Sequence, residues 1–143
     1  MPTRKAHGNW KGGLKNGHGH VETETKILDD DFHFNSRFGD GSGGTNPEEL
    51  IGAAHAGCFS MALSAGLEQA GYPVEEINTD AHVTEDQVEG GFKITKIELN
   101  TEAKIPGIDE QTFQEQAEGA KKNCPVSQAL AGADITINAK LKG

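Results

Sequence analysis

The chain has 143 residues, a formal net charge of −9, a pI near 5.0 and only 34% apolar residues. Its length suits one domain with a core of its own, so a single domain over residues 1–143 is expected. The acidic balance excludes a nucleic-acid surface, which needs a basic stripe, and argues against an anionic membrane surface.

The opening Met1-Pro2-Thr3-Arg4-Lys5-Ala6-His7 has no apolar stretch behind its basic residues. It does not read as a secretory signal, and a cytoplasmic protein is expected. Residues 6–11, 19–27 and 32–38 read as short strands punctuated by glycine. His20-Val21-Glu22-Thr23-Glu24-Thr25 alternates in part and carries β-branched residues. Residues 39–45 read as a flexible loop. Asn46 then caps a helix, with Pro47 at its first position and Glu49 at its third, close to a capping box. That helix runs to Ala70, and Gly71 lies just past its end. Its run 50–67 holds no Asp, Glu, Lys or Arg and just reaches membrane-span length. Gly, Ala and Ser dominate the run and acidic residues flank it, so a buried core helix is the better reading.

Residues 74–85 and 91–104 read as long strands joined as a hairpin through Val88-Glu89-Gly90-Gly91. Asp109 caps a charged helix to about Asn123, with Phe113, Ala117 and Ala120 on its inner face. Pro125 opens a short helix to Ala131. Ile135, Ile137, Ala139 and Leu141 alternate in a last strand. The order β-β-β-α-β-β-α-α-β, with strands in hairpins, gives an α+β domain with largely antiparallel sheets. Gly52, Ala53, Ala56 and Gly57 leave a thin stripe on the central helix, suited to close approach by a partner's copy of that helix.

The chemistry concentrates on two cysteines. Cys58 lies in the apolar helix and is expected to be buried. Cys124, in Lys121-Lys122-Asn123-Cys124-Pro125-Val126-Ser127, is expected to perch at a helix start, in a loop mobile enough to swing toward Cys58. A thiol reacts as its thiolate. Burial disfavours that anion at Cys58, and the positive end of a helix favours it at Cys124. On local physics, attacker and resolver cannot be told apart. Two thiols in the cytosol are more often catalytic, metal-binding or inert than stapled.

Of the 13 Lys and Arg residues only Arg4 and Arg37 are arginine. Arg37 is the better placed, because it leads into the loop that feeds the central helix. Its guanidinium is always charged and offers a fork of donors, able to hold a thiolate and polarise an oxygen beside it. Glu48 is the candidate carboxylate to orient it, and Glu49 takes the duller role of cap. Glu48 precedes Cys58 by about ten residues, roughly 15 Å of rise. A site using both is built most economically in a symmetric dimer.

Three other patterns carry less. Gly39-Asp40-Gly41-Ser42-Gly43-Gly44 matches G-x-G-x-x-G, but no parallel βαβ unit surrounds it, and Asp40 would face a pyrophosphate with like charge. His18 and His20 share a strand face with no third ligand apparent nearby, so no metal is expected. His55, about one turn before Cys58, reads as a packed core residue, its other reading being a group that polarises the thiol.

Thr45-Asn46-Pro47-Glu48-Glu49-Leu50-Ile51-Gly52-Ala53-Ala54-His55-Ala56-Gly57-Cys58-Phe59-Ser60-Met61-Ala62-Leu63 strongly resembles the central motif of the OsmC family. Asn123-Cys124-Pro125-Val126-Ser127-Gln128-Ala129-Leu130 resembles its second cysteine motif. Asn35-Ser36-Arg37-Phe38 and Gly91-Phe92-Lys93-Ile94-Thr95-Lys96-Ile97 match as well. The likeness covers essentially the whole chain, and it is closer to OsmC than to the organic hydroperoxide resistance (Ohr) group of the same superfamily.

This resemblance implies a thiol-dependent peroxidase active in oxidative and osmotic stress defence. It implies an intertwined homodimer whose antiparallel sheets wrap paired central helices. It makes Cys58 the peroxidatic thiol and Cys124 the resolving one, joined in a disulfide after the first oxidation, with Arg37 and Glu48 assisting thiolate and peroxide. Hydroperoxide is the implied substrate and an external dithiol, such as a lipoylated protein, the reductant. No cofactor, metal, nucleic acid or membrane is called for. Ile51, Phe59 and Met61 would suit the tail of an organic hydroperoxide. The alternative readings are a non-catalytic thiol redox sensor and a small-ligand-binding protein.

Overall fold

The computed structural model describes residues 2–142. The chain divides into two compact units, with the boundary in sequence between Leu50 and Ile51.

The first unit holds β1 (Ala6–Lys11), β2 (His18–Thr23) and β3 (Asp29–Phe32), an antiparallel sheet in that order. Gly19 sits opposite both Trp10 and Phe32. A Cβ there would lie 2.4 Å from the Asn9 carbonyl oxygen and 2.6 Å from the Phe32 ring. Only glycine lets the two rings close over the strand, with centroids 5.2 Å apart.

The expected third strand over 32–38 is not formed. Strand pairing stops at Phe32, and Phe34–Phe38 is a short helix, α1. His33 caps it: Nδ1 accepts from the Ser36 amide while the Ser36 hydroxyl sits 2.9 Å from the His33 amide, a reciprocal capping box. Nε2 of His33 donates to the Gly43 carbonyl, which fixes the tautomer.

The helix α2 (Pro47–Gln69) begins as expected. The Glu49 amide donates to Asn46 Oδ1 at 2.7 Å, and Thr45 Oγ1 donates to the Glu49 carboxylate at 2.8 Å.

The second unit is a sheet β4-β5-β6 with helices packed on it. Here β4 (Glu76–Val88) and β5 (Gly91–Lys104) form the expected hairpin, and Gly90 at φ 90° supplies the positive φ that its two-residue turn demands. Two helices, α3 (Glu110–Asn123) and α4 (Pro125–Ala129), separate β5 from β6 (Asp134–Leu141). That crossover makes β6 parallel to β5. The sheets are otherwise antiparallel, and the fold is α+β.

The α2 residues Gly52, His55, Phe59, Leu63 and Leu67 recur at helical spacing and are buried. Phe59, Leu63 and Leu67 join Ile97, Leu99, Ala103, Phe113 and Ala117 in the core. A file of hydroxyls, Ser60 to Thr79 at 2.8 Å and Thr79 to Thr101 at 2.9 Å, ties α2 across β4 to β5. One face of the run of membrane-span length is thus built into the core. The small-residue stripe is split. Gly52 faces the sheet, 3.4 Å from Val83 Cγ2 as measured from a Cβ placed on it, while Ala53 and Gly57 are exposed.

Candidate functional site

Cys58 sits in the middle of α2. Cys124 is the single residue between α3 and α4, serving as C-cap of one and N-cap of the other. The reason is Pro125. A residue before proline is driven out of the α region, and Cys124 adopts φ −58°, ψ 122°. Its amide still closes α3 by donating to the Ala120 carbonyl at 3.0 Å. Pro125 has no N–H, so the first free donors of α4 are the amides of Val126 and Ser127. Both favour the anion of Cys124, and that of Val126 favours the anion of Cys58 as well.

The two sulfurs are 2.7 Å apart, and both cysteines are free, with the Cys124 thiol donating to Cys58. The expected burials are reversed. Cys124 is fully buried and Cys58 only partly so. The loop expected to swing is absent, because the bend at Pro125 tucks the sulfur inward against α2. Burial pushes the Cys58 thiol up, and the Cys124 thiol adds to that, against the Val126 amide. Burial also opposes ionisation of Cys124, but the Cys58 thiol, the Ser127 amide and hydroxyl and the Val126 amide outweigh it and draw its pKa down.

His55 does not reach the thiol on its own helix. It is fully buried, and its Nε2 lies 2.6 Å from Ser127 Oγ, while its Nδ1 has no hydrogen-bond partner. Burial holds it neutral, with its pKa below the usual imidazole value. Ser127 does not stand out in the sequence alone. Its signal is its place three residues after Cys124, which puts its amide and hydroxyl in the first turn after the proline. Among the residues expected to hold a peroxide tail, Phe59 is core and Met61 is 77% exposed, so these do not line a common pocket.

In the first unit Arg37 occupies the last turn of α1 and Glu48 the first turn of α2. They meet in a bidentate ion pair, Nε donating to Oε1 at 3.1 Å and a terminal nitrogen to Oε2 at 3.0 Å. The guanidinium also lies 5.0 Å from the centroid of the Phe38 ring. Beside it is an apolar cavity of about 260 Å³ lined by Trp10, Leu14, Phe32, His33, Phe34 and Phe38.

The glycine-rich loop is tied rather than loose. Asp40 Oδ1 accepts from Asn35 and from the Ser42 amide and hydroxyl, which lowers its pKa, the Ser42 hydroxyl contributing most. The Ser42 amide, a donor that a nucleotide phosphate would need, is already taken.

The histidine pair resolves differently from expectation. Glu22 shares the strand face of His20, and Asp29 and Asp31 stand across from them on β3. Third donors are therefore present, and His20, Glu22 and Asp29 lie close enough to hold a cation. His18 is not among them. In this structure both His20 nitrogens are engaged, Nδ1 by Asp31 at 2.6 Å and Nε2 by Asp29. These bonds raise its pKa, Asp31 first. A raised value means the contact is complete below the unfolded value of about 6.5 and is lost as pH climbs through the folded one. An NMR titration of His20 should show a midpoint above 6.5 that Asp31→Asn lowers, and a midpoint at or below 6.5 would discount the contact.

A family model described as OsmC-like protein matches residues 39–140. The chain is 51% identical over 140 residues to peroxiredoxin OsmC of Escherichia coli, covering 97% of this chain and 96% of that one. It is 31% identical over 126 residues to organic hydroperoxide resistance protein OhrB of Bacillus subtilis, covering 87% and 89%. The crystal structure of an organic hydroperoxide resistance protein from Elizabethkingia anophelis superposes with a TM-score of 0.71 at 28% identity, over 100% of this chain and 97% of that one. With its two cysteine motifs, its α+β architecture and these matches along nearly its whole length, the chain belongs to the OsmC family.

Proposed function

We propose that the protein is a thiol-dependent peroxidase that reduces organic hydroperoxides, and hydrogen peroxide, through Cys58 and Cys124. The observation that carries this is the 2.7 Å contact between two free sulfurs, one partly accessible and one buried. The partial exposure of Cys58 supports its reading as the thiol that meets peroxide, and the burial of Cys124 its reading as the resolver. The names of the OsmC and OhrB relatives support the same chemistry.

In the proposed cycle Cys58 passes its proton to the Cys124 thiolate as it attacks the terminal peroxide oxygen. The O–O bond breaks, Cys58 becomes a sulfenic acid, and the departing alkoxide takes the proton back and leaves as alcohol. The Cys124 thiolate then attacks the Cys58 sulfur. The S–S bond forms, and hydroxide leaves and is protonated to water. An external dithiol reduces the disulfide by exchange, becoming a disulfide itself. We assign Arg37, oriented by Glu48, to hold the peroxide oxygens, and the aromatic cavity beside Arg37 to take an apolar tail.

The assembly proposed is a homodimer. Ala53, Ala54, Gly57, Met61 and Ala65 form an exposed apolar face on α2 opposite its core stripe. A second copy is the proposed cover for that face. After one equivalent of peroxide, intact-mass spectrometry should show the loss of two hydrogens per chain, and an unchanged mass would count against the disulfide step.

A further inference from the structure

The sheet of the first unit has two unlike faces. Cross-strand partners in an antiparallel sheet share a face, and neighbours along a strand alternate. The register therefore puts Trp10, Gly19, Val21 and Phe32 on one side. The other side takes His7, Glu22 and Asp29 in one row and Asn9, His20 and Asp31 in the next. The peroxidase cycle above makes no use of this second face. It sets Glu22 directly opposite Asp29, a like-charge pair that weakens a ladder unless a cation answers it. Lys26 meets one oxygen of Glu22 at 2.7 Å, while Asp29 turns to His20. His20 is set as a metal-binding histidine is set. Asp31 accepts from Nδ1 at 2.6 Å, and Nε2 faces Asp29. A carboxylate on one ring nitrogen orients the ring and raises the basicity of the other. A nitrogen lone pair and a carboxylate oxygen face each other stably only across a proton or a cation. One ligand atom from each of His20, Glu22 and Asp29 lies within 4.8 Å of the other two. Zinc–nitrogen and zinc–oxygen bonds are about 2.0–2.2 Å, so this spacing is near what one ion spans, and the partly exposed side chains have room to turn onto it.

We propose that His20, Glu22 and Asp29 bind one divalent first-row cation of the Zn²⁺ type, with Asp31 positioning the ring. The imidazole ligand selects such an ion over Ca²⁺ or Mg²⁺, which take oxygen donors. Entry of the ion opens the direct contact of Nε2 with Asp29. The proton held between them leaves to solvent, and the lone pair of Nε2 and the Asp29 carboxylate each bond to the metal. Glu22 has a second oxygen for the ion besides the one that Lys26 holds. The ion answers the Glu22/Asp29 opposition and ties β2 to β3.

The probe is Zn²⁺ alone, titrated calorimetrically into the full chain. Zinc also takes thiolates, so both cysteines are first replaced, Cys58→Ser with Cys124→Ser. One ion per chain should bind, and the nitrogen-15 signal of His20 Nε2 should shift as a ligand nitrogen does while that of Nδ1 keeps its proton. His20→Gln, Asp29→Asn and Glu22→Gln should each weaken binding by more than about tenfold, and Asp31→Asn by about 10–100-fold. His18→Gln, on the same face but outside the group, should leave the affinity within about twofold. Should the cysteine-free chain not fold, Mn²⁺, which favours oxygen over sulfur, is added to the unaltered protein, and selective broadening of the His20 ring signals replaces the calorimetry. No saturable uptake below about 1 mM Zn²⁺ overturns the site. So does an affinity that His20→Gln or Asp29→Asn leaves unchanged, or, with Mn²⁺, broadening that spares His20. Loss of binding in those variants with none in Asp31→Asn would keep the site and remove the positioning role of Asp31.

Discussion

Cys58→Ser is expected to abolish peroxide turnover, whereas Cys124→Ser consumes one equivalent per chain and then stalls. A serine hydroxyl does not ionise near neutral pH and is a poor nucleophile toward peroxide oxygen, so the first variant loses the attacking atom outright. The second keeps the attacker and loses the partner that clears the sulfenic acid, which a dimedone adduct on Cys58 would reveal. Peroxide consumption with excess dithiol distinguishes the cases. Full activity in Cys58→Ser would sink the assignment of the attacker. Consumption that ends at one equivalent in the unaltered protein would favour a redox sensor over an enzyme.

Arg37→Ala is expected to slow Cys58 oxidation by about 10²–10³-fold, the usual loss when one preorganised donor to a developing oxyanion is removed. Arg4→Ala should leave the rate close to that of the unaltered protein. Arg37→Lys should not rescue, because an ammonium cannot reproduce the two-point grip on Glu48 seen here. The readout is the pseudo-first-order loss of Cys58 thiol under excess hydroperoxide. Equal rates for the Arg37 and Arg4 variants would remove Arg37 from the reaction.

Much of the architecture was legible because its signals are local. Asn46-Pro47 at one end and Gly71 past the other bracket α2, Asp109 caps α3, and alternation marks β6. What failed needed information from elsewhere. Residues 32–38 carry enough aromatic side chains to read as a strand, and the His33/Ser36 box that makes them helical uses a histidine as cap, an uncommon choice. The pairing partner of β6 is not written in β6, although the two helices before it imply a crossover.

The site divides in the same way. Cys58, Cys124, Arg37 and Glu48 stand out as residue types in telling company. The burial of Cys124 did not, because the turn at Pro125 sets a direction that sequence spacing cannot supply. Ser127 and the carboxylates around His20 became visible only once helix and strand neighbours were known.

The sulfur contact described above bears on survival under attack. A newly formed sulfenic acid faces a race between capture by its neighbour and a further encounter with oxidant, which would drive it to the irreversible sulfinic state. Here the neighbour is already touching, so capture is unimolecular and awaits no unfolding, while the damaging route scales with how much oxidant is present. On the proposed cycle, this proximity suits the protein to scavenge through a surge rather than to be silenced by one.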